Sequence, residues 1–485
     1  MVKKLIILSA LLAAVLTSCT DKPKLSDNTT PVSFDLDSIR IRGKLIAVTD
    51  YNSTNYFIYR GEPMGFHYEL LKMFTDRIGV DLEIITENQL ENAFELLNTG
   101  EADLLALSLT INSSRKKEIL FTDPIIETRQ VLIQRRPKNW RSMTADAVDR
   151  QLIRNQLDLA NKAVYVQAGS SYLERLKTLS GEIGDPIDII EVPFDSEQLI
   201  RDVADGEIDY TICDENIATV NSTYYPDIDI STPVSFPQKL AWGLRKTGSE
   251  ILIKELNDWI SSYRGTESYA LLYAKYYKNS RSSKIVKSDY YSLTTGKVSR
   301  WDNLIKTAST EVNWDWRLLA SLIYQESRFD PNVKSWAGAY GLMQIMPVTG
   351  RSFGIDVTSS PANNIKAGIR YINWLHSVFD PKIPDQSERV KFILAAYNAG
   401  PGHILDAMRL AEKNGMDPQI WDESVSFWLQ KKSDPKYYND TVVKSGYFRG
   451  TESVNFVSEI LDRYEHYKNI IPEKGMTHLS LNSGN

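Results

Sequence analysis

At 485 residues the chain has room for roughly two to four domains with separate cores, and its 42% hydrophobic and 24% charged content is that of an ordinary globular protein. A formal net charge of -6 with no basic block argues against nucleic acid as a partner. The 2 cysteines provide no disulfide framework, the 5 histidines fall in no paired-ligand spacing, and neither a metal site nor a cofactor is expected.

Lys3 and Lys4 precede an apolar run from Leu5 to Leu16, too short to span a bilayer but the length of a secretory h-region. The following Leu16-Thr17-Ser18-Cys19 resembles a bacterial lipoprotein box, which implies a signal peptide over 1–19 and a lipid on Cys19 that tethers the mature chain. Thr20 after Cys19, in place of aspartate, favours the periplasmic face of the outer membrane. Residues 20–39 are polar and rich in Asp, Thr, Ser and Pro, as a flexible tether would be. Cys213 reads as a buried strand residue.

From Arg42 the texture alternates. Leu45–Val48, Leu82–Ile85 and Leu104–Leu109 read as strands, and Phe66–Ile78 and Leu90–Asn98 as helices. The pattern restarts with strands at Ala163–Val166, Ile187–Val192 and Ile208–Cys213 and helices at Ser171–Ser180 and Ser196–Asp205. Two α/β halves with largely parallel sheets follow one another. The segments Gly61-Glu62-Pro63-Met64-Gly65-Phe66, Gly100-Glu101-Ala102-Asp103-Leu104, Asn112-Ser113-Ser114-Arg115, Gly169-Ser170-Ser171 and Lys239-Leu240-Ala241-Trp242-Gly243 together resemble family 3 periplasmic solute-binding proteins over 40–278. The resemblance implies two lobes closing on a ligand, one made of about 40–134 and 238–278, the other of about 135–237. It further implies that Arg115 forks onto a carboxylate, that Ser170 and Ser171 complete the anion site, and that Asp214 takes an amine. Asn112 stands where that family usually has threonine.

Residues 279–297 read as a Ser/Lys-rich linker, and beyond Val298 helical periodicity dominates: Trp301–Val312, Trp316–Glu326, Pro361–Phe379, Ser387–Tyr397, His403–Lys413 and Val454–Ile470. Leu319, Leu322, Ile323 and Glu326 recur at three- and four-residue steps, so a helix over Asp315–Ser327 carries a carboxylate on its own apolar stripe. Burial there raises its pKa, as a general acid working near neutral pH requires. Seven of the ten tryptophans lie in this region, most of them suited to a core and some to a sugar-lined groove.

Glu326-Ser327 with Phe329-Asp330-Pro331, then Gly338-Ala339-Tyr340-Gly341-Leu342-Met343-Gln344-Ile345-Met346-Pro347, then Ala395-Ala396-Tyr397-Asn398-Ala399-Gly400-Pro401-Gly402 closely resemble the transglycosylase SLT domain, a goose-lysozyme-like all-α fold, over 298–472, before a tail at 473–485. The resemblance implies cleavage of peptidoglycan glycan strands between N-acetylmuramic acid and N-acetylglucosamine, with Glu326 as acid and then base and a 1,6-anhydro product. Met343 offers a pliable apolar contact and Gln344 an amide for a sugar hydroxyl or acetamido group. Tyr397 and Asn398 supply a stacking face and polar groups, and Ser327 either orients Glu326 or ends its helix. Phe456 stands where the family usually has a tyrosine, so a hydrogen bond to the acid is lost unless Tyr437, Tyr447 or Tyr464 supplies it. The leading reading is therefore a lipid-anchored lytic transglycosylase whose front module senses an amino acid or muropeptide. A hydrolytic muramidase and a receptor for amino acids or cell-wall peptides are the alternatives.

Overall fold

The computed structural model describes residues 35–278, 292 and 296–471, so the signal segment, Cys19, most of the linker and the tail lie outside the described residues. The strands are β1 (Lys44–Thr49), β2 (Phe57–Tyr59), β3 (Glu62–Met64), β4 (Asp81–Thr86), β5 (Leu104–Thr110), β6 (Ile119–Phe121) and β7 (Ile126–Thr128). They continue with β8 (Gln130–Arg135), β9 (Ala163–Gln167), β10 (Asp188–Val192), β11 (Tyr210–Asp214), β12 (Ile228–Pro233) and β13 (Gln238–Arg245).

Two sheets result. In the first, β4-β1-β5 are parallel, and β13 returns antiparallel to β5 and carries β6 and β7 on its other side. In the second, β10-β9-β11 are parallel and β8 and β12 antiparallel. Each is thus a parallel centre with antiparallel additions, because the chain crosses between sheets twice and the crossing strands arrive from the opposite end. The first crossing comes earlier than expected: Gln130 already pairs with Asp214 of the second sheet, so β8 belongs there rather than to the first lobe.

Local signals explain the helices. Asp195 accepts from Gln198 N at one end of Ser196–Asp205, and Gly206, at φ 94°, ends it in the left-handed conformation that only glycine adopts without strain. Leu36–Arg42, within the stretch read as tether, is helical: Asp35 caps it and Leu36 and Ile39 are buried. Their three-residue spacing was too short to register among polar neighbours.

Beyond residue 298 the described residues form no strand, and one core gathers the helices Asp302–Ser309, Trp316–Ser327, Pro361–Phe379, Gln386–Ala399, Pro401–Lys413 and Gly450–Ile470. Ile58, from the front module, is fully buried in that same core. The β2–β3 hairpin carries it there. Its turn, Arg60 (φ 54°) and Gly61 (φ 84°), lies against Tyr324 and Phe329, and the hydroxyl of Tyr467 donates to Gly61 O at 3.0 Å. Tyr324 donates to Glu62, and Tyr56 pairs with His466 Nδ1 at 2.8 Å. No helix among the described residues is long and apolar enough to cross a membrane.

Candidate active site and ligand cleft

The helix Trp316–Ser327 begins at Asp315, whose carboxylate accepts from Arg317 N, and buries most of its length. It stops abruptly. Arg328 (φ 51°) and Phe329 (φ 63°) are both left-handed, a pair of strained non-glycine residues held by the Phe329 ring against Tyr324 and by Trp301 Nε1 donating to Phe329 O at 3.0 Å. Glu326 therefore sits on the final turn with its position set from both sides. It is partly buried, accepts no hydrogen bond from the described residues, and burial alone raises its carboxyl from an ordinary 4.5 to about 8. At neutral pH it is mostly protonated.

The second motif wraps over it. Ser327 Oγ donates to Leu342 O at 2.8 Å and to Ile323 O, so it fastens the helix end to the motif and does not reach the Glu326 carboxylate. Asn364 Oδ1 accepts from Met343 N at 2.8 Å, and its amide donates to Tyr340 O at 2.7 Å. A β-carbon on Gly341 would strike that amide, so glycine is required there by packing as well as by φ 79°. Met343 is fully buried beneath Gly368, and Gln344, at φ 46°, spends its amide hydrogens on Val333 O and Gly341 O. Its carbonyl oxygen alone is left to meet a ligand donor.

Tyr397 is buried and donates to Met343 O at 2.7 Å. Its phenol is pushed well above its ordinary value by burial and then by the neighbouring Glu326 charge, so the two side chains share one environment. Asn398 is exposed and its Oδ1 accepts from Ser453 Oγ at 2.6 Å, tying the third motif to the start of Gly450–Ile470. Phe456 is buried in the core. None of the three candidate tyrosines replaces a hydroxyl at the acid: Tyr464 donates to Asp315, Tyr437 packs on Trp428, and Tyr447 is exposed beside Tyr438.

In the front module Arg115, Ser170, Ser171 and Asp214 line one cavity of about 80 Å³ between the two lobes. Arg115 is buried and donates to Gly169 O at 3.1 Å; Ser171 Oγ meets Thr110 Oγ1 at 2.9 Å. Asp214 accepts from the Tyr172 hydroxyl through Oδ2, while its Oδ1 and the buried Ser170 Oγ have no protein partner. Asn112, in the threonine position, reaches across the lobes to Glu174 at 2.7 Å. Further bridges run from Asn88 Nδ2 to Asp195 Oδ2 at 2.7 Å and from Ser53 N to Glu197 at 3.1 Å, so the lobes are closed on each other.

The Transglycosylase SLT domain family matches residues 303–420, and Bacterial extracellular solute-binding proteins, family 3, match residues 45–279. The chain is 35% identical over 431 residues to a membrane-bound lytic murein transglycosylase F of Desulfosudis oleivorans, covering 89% of this chain and 91% of the relative. It belongs to the membrane-bound lytic murein transglycosylase F family. A member from Pseudomonas fluorescens is 29% identical over 460 residues, 93% of this chain and 88% of that one. Among solved structures, the P235GK mutant of ArgBP from T. maritima matches at 22% identity and a TM-score of 0.43, over 50% of this chain and 99% of that chain.

As a transglycosylase F, the chain is a peptidoglycan lytic transglycosylase with an N-terminal solute-binding fold. Several residues that shape both sites carry no local signal. Asn364 belongs to none of the three motifs, yet it is buried and becomes the clamp of the second. The hairpin turn at Gly61 read as part of the solute-binding match, yet it abuts the helix of Glu326.

Proposed function

We propose that this transglycosylase F cleaves the bond between N-acetylmuramic acid and N-acetylglucosamine without water, leaving 1,6-anhydro ends. Glu326 gives its proton to the bridging oxygen as the C1–O bond breaks. The resulting carboxylate then takes the proton of the muramyl C6 hydroxyl while O6 bonds to C1, so the acid is restored and no water is consumed. The observation that supports this most is the solitude of Glu326: burial alone sets its pKa, and the nearest acid in sequence, Asp330, is exposed beyond the strained turn. Ordinary glycosidases use two carboxylates. One acid suits a reaction whose nucleophile belongs to the substrate. Mass spectrometry of digested sacculi is expected to find chain ends one water lighter than reducing sugars; reducing ends in their place would establish a muramidase.

The front module, on this reading, senses a ligand and regulates the cut, and Cys19 anchors the chain by lipid to the periplasmic face of the outer membrane. Coupling has a physical route. Glu197 of the second lobe holds Ser53, and the loop from Ser53 runs into the hairpin lying on Tyr324, two residues before Glu326. Lobe opening would pull on that loop. A muropeptide is expected to change the wild-type rate by roughly 5–150-fold, the span of ordinary allosteric coupling. Arg115→Ala should abolish the change while leaving the unstimulated rate; a persistent effect would remove the cleft from the account.

A further inference from the structure

A cavity of about 350 Å³ at the junction of the two modules shares no lining residue with the lobe cleft and is walled by three arginines from three separate segments. Arg60 comes from the turn of the β2–β3 hairpin, Arg300 from the residues that open the catalytic domain, and Arg328 from the turn that ends the helix of Glu326. Asp330 is the single carboxylate among the described lining residues. We propose that this pocket takes the free carboxylates of the stem peptides carried by the glycan strand being cut, so that the enzyme reads peptide as well as sugar. The pocket's role depends on the peptidoglycan substrate, not on the anhydro product or on ligand sensing.

Three observations carry it. First, the sign of the pocket runs against that of the chain: three guanidinium groups line it with one carboxylate, in a protein of formal net charge -6. That carboxylate already accepts from Asn332 N at 2.9 Å, and no ion pair engages Arg300 or Arg328 among the described residues. Second, the arginines are held in place. Arg60 and Arg328 sit at φ 54° and 51°, a left-handed conformation that is costly for residues other than glycine, the usual occupant of such helix ends. The guanidinium groups of Arg60 and Arg300 lie 5.3 Å and 4.7 Å from the ring centroids of their neighbours Tyr59 and Trp301. Asp302 accepts from Val298 N and Ser299 N, which fixes the segment carrying Arg300. Third, the chemistry matches. Guanidinium forks fit the two oxygens of a carboxylate, and the volume falls in the roughly 300–1,000 Å³ of clefts that hold a molecule larger than a lone ion. Stem peptides branch from the muramyl sugars of any strand in the catalytic groove, and Arg328 is two residues from the catalytic acid.

Soluble, uncrosslinked glycan strands, with stem peptides and after an amidase has removed them, are the two substrates with which the full-length protein tests this. The wild type is expected to show a KM about tenfold lower for the peptide-bearing strands, the effect of one charge-assisted hydrogen bond. Arg300→Gln should bring that ratio down towards one, and so should Arg60→Asn, which puts a residue that tolerates the left-handed turn in the front module. Arg300→Lys should recover part of the ratio, because it keeps the charge and loses the fork. Damage to packing alone would slow both substrates alike and leave the ratio as it was. Equal KM values for the two strands in the wild type, or an unaltered ratio in folded Arg300→Gln and Arg60→Asn variants, would overturn the assignment. Capture of the protein by anionic phospholipid vesicles that Arg300→Gln abolishes, with the two strands equivalent, would overturn it in favour of a lipid headgroup.

Discussion

Glu326→Gln is expected to lower glycan release from sacculi by about 10²–10⁴-fold, the usual worth of a positioned general acid, while binding to sacculi persists. Glutamine preserves the shape of the side chain and removes only the transferable proton. A receptor with a merely glycan-gripping helical domain would lose nothing, so retention of release in the variant would discard the enzymatic role of this residue. The pH dependence adds a second readout. Burial holds the carboxyl at about 8, so the acid form required for the first proton transfer prevails at neutral pH and is lost as pH rises through that value. The wild-type rate should therefore fall on the alkaline side of about pH 8. In Phe456→Tyr, a hydroxyl hydrogen-bonded to the carboxylate would shift this limb downward.

Gly61→Ala should destabilise the protein by about 2–4 kcal/mol and reduce activity at saturating substrate. The left-handed turn costs alanine about 1 kcal/mol or more, and overpacking a rigid neighbour costs about 1–3 kcal/mol. The added β-carbon would lie 2.8 Å from Tyr324 Cε2 and 2.9 Å from Phe329 Cε2, rings on either side of Glu326 in the chain. Gly43→Ala is the control. Gly43 has a similar φ of 78° with nothing within 4 Å of the added carbon, so it pays only the conformational cost. Equal effects on stability and rate at the two positions, measured by denaturation and by sacculus digestion, would show that the hairpin does not bear on the catalytic helix.

What could be read from the sequence was local. The helix over Asp315–Ser327 was legible from its apolar stripe, and Phe66–Ile78, Ser196–Asp205 and Pro361–Phe379 from their periodicity. The raised pKa followed from one carboxylate on an apolar face. What escaped was non-local. Met343 and Gln344 were read as ligand contacts, but the structure turns most of their capacity inward, because the second motif must brace itself against Asn364 and Gly368. Ile58, in a three-residue strand, gave no sign that its burial partners lie more than two hundred positions downstream. Glu197 lies in the first turn of its helix with no motif around it, and only lobe apposition brings it to Ser53.

The clasp between Tyr467 and Gly61 joins positions 406 apart in the chain. Until a ribosome or translocon has delivered Gly450–Ile470, the hairpin has no seat and Ile58 stays exposed to water, a slow, high-contact-order closure. Seating of the hairpin thus waits on the far end of the polypeptide. Damage confined to the final helix should surface as protease sensitivity around residues 57–64.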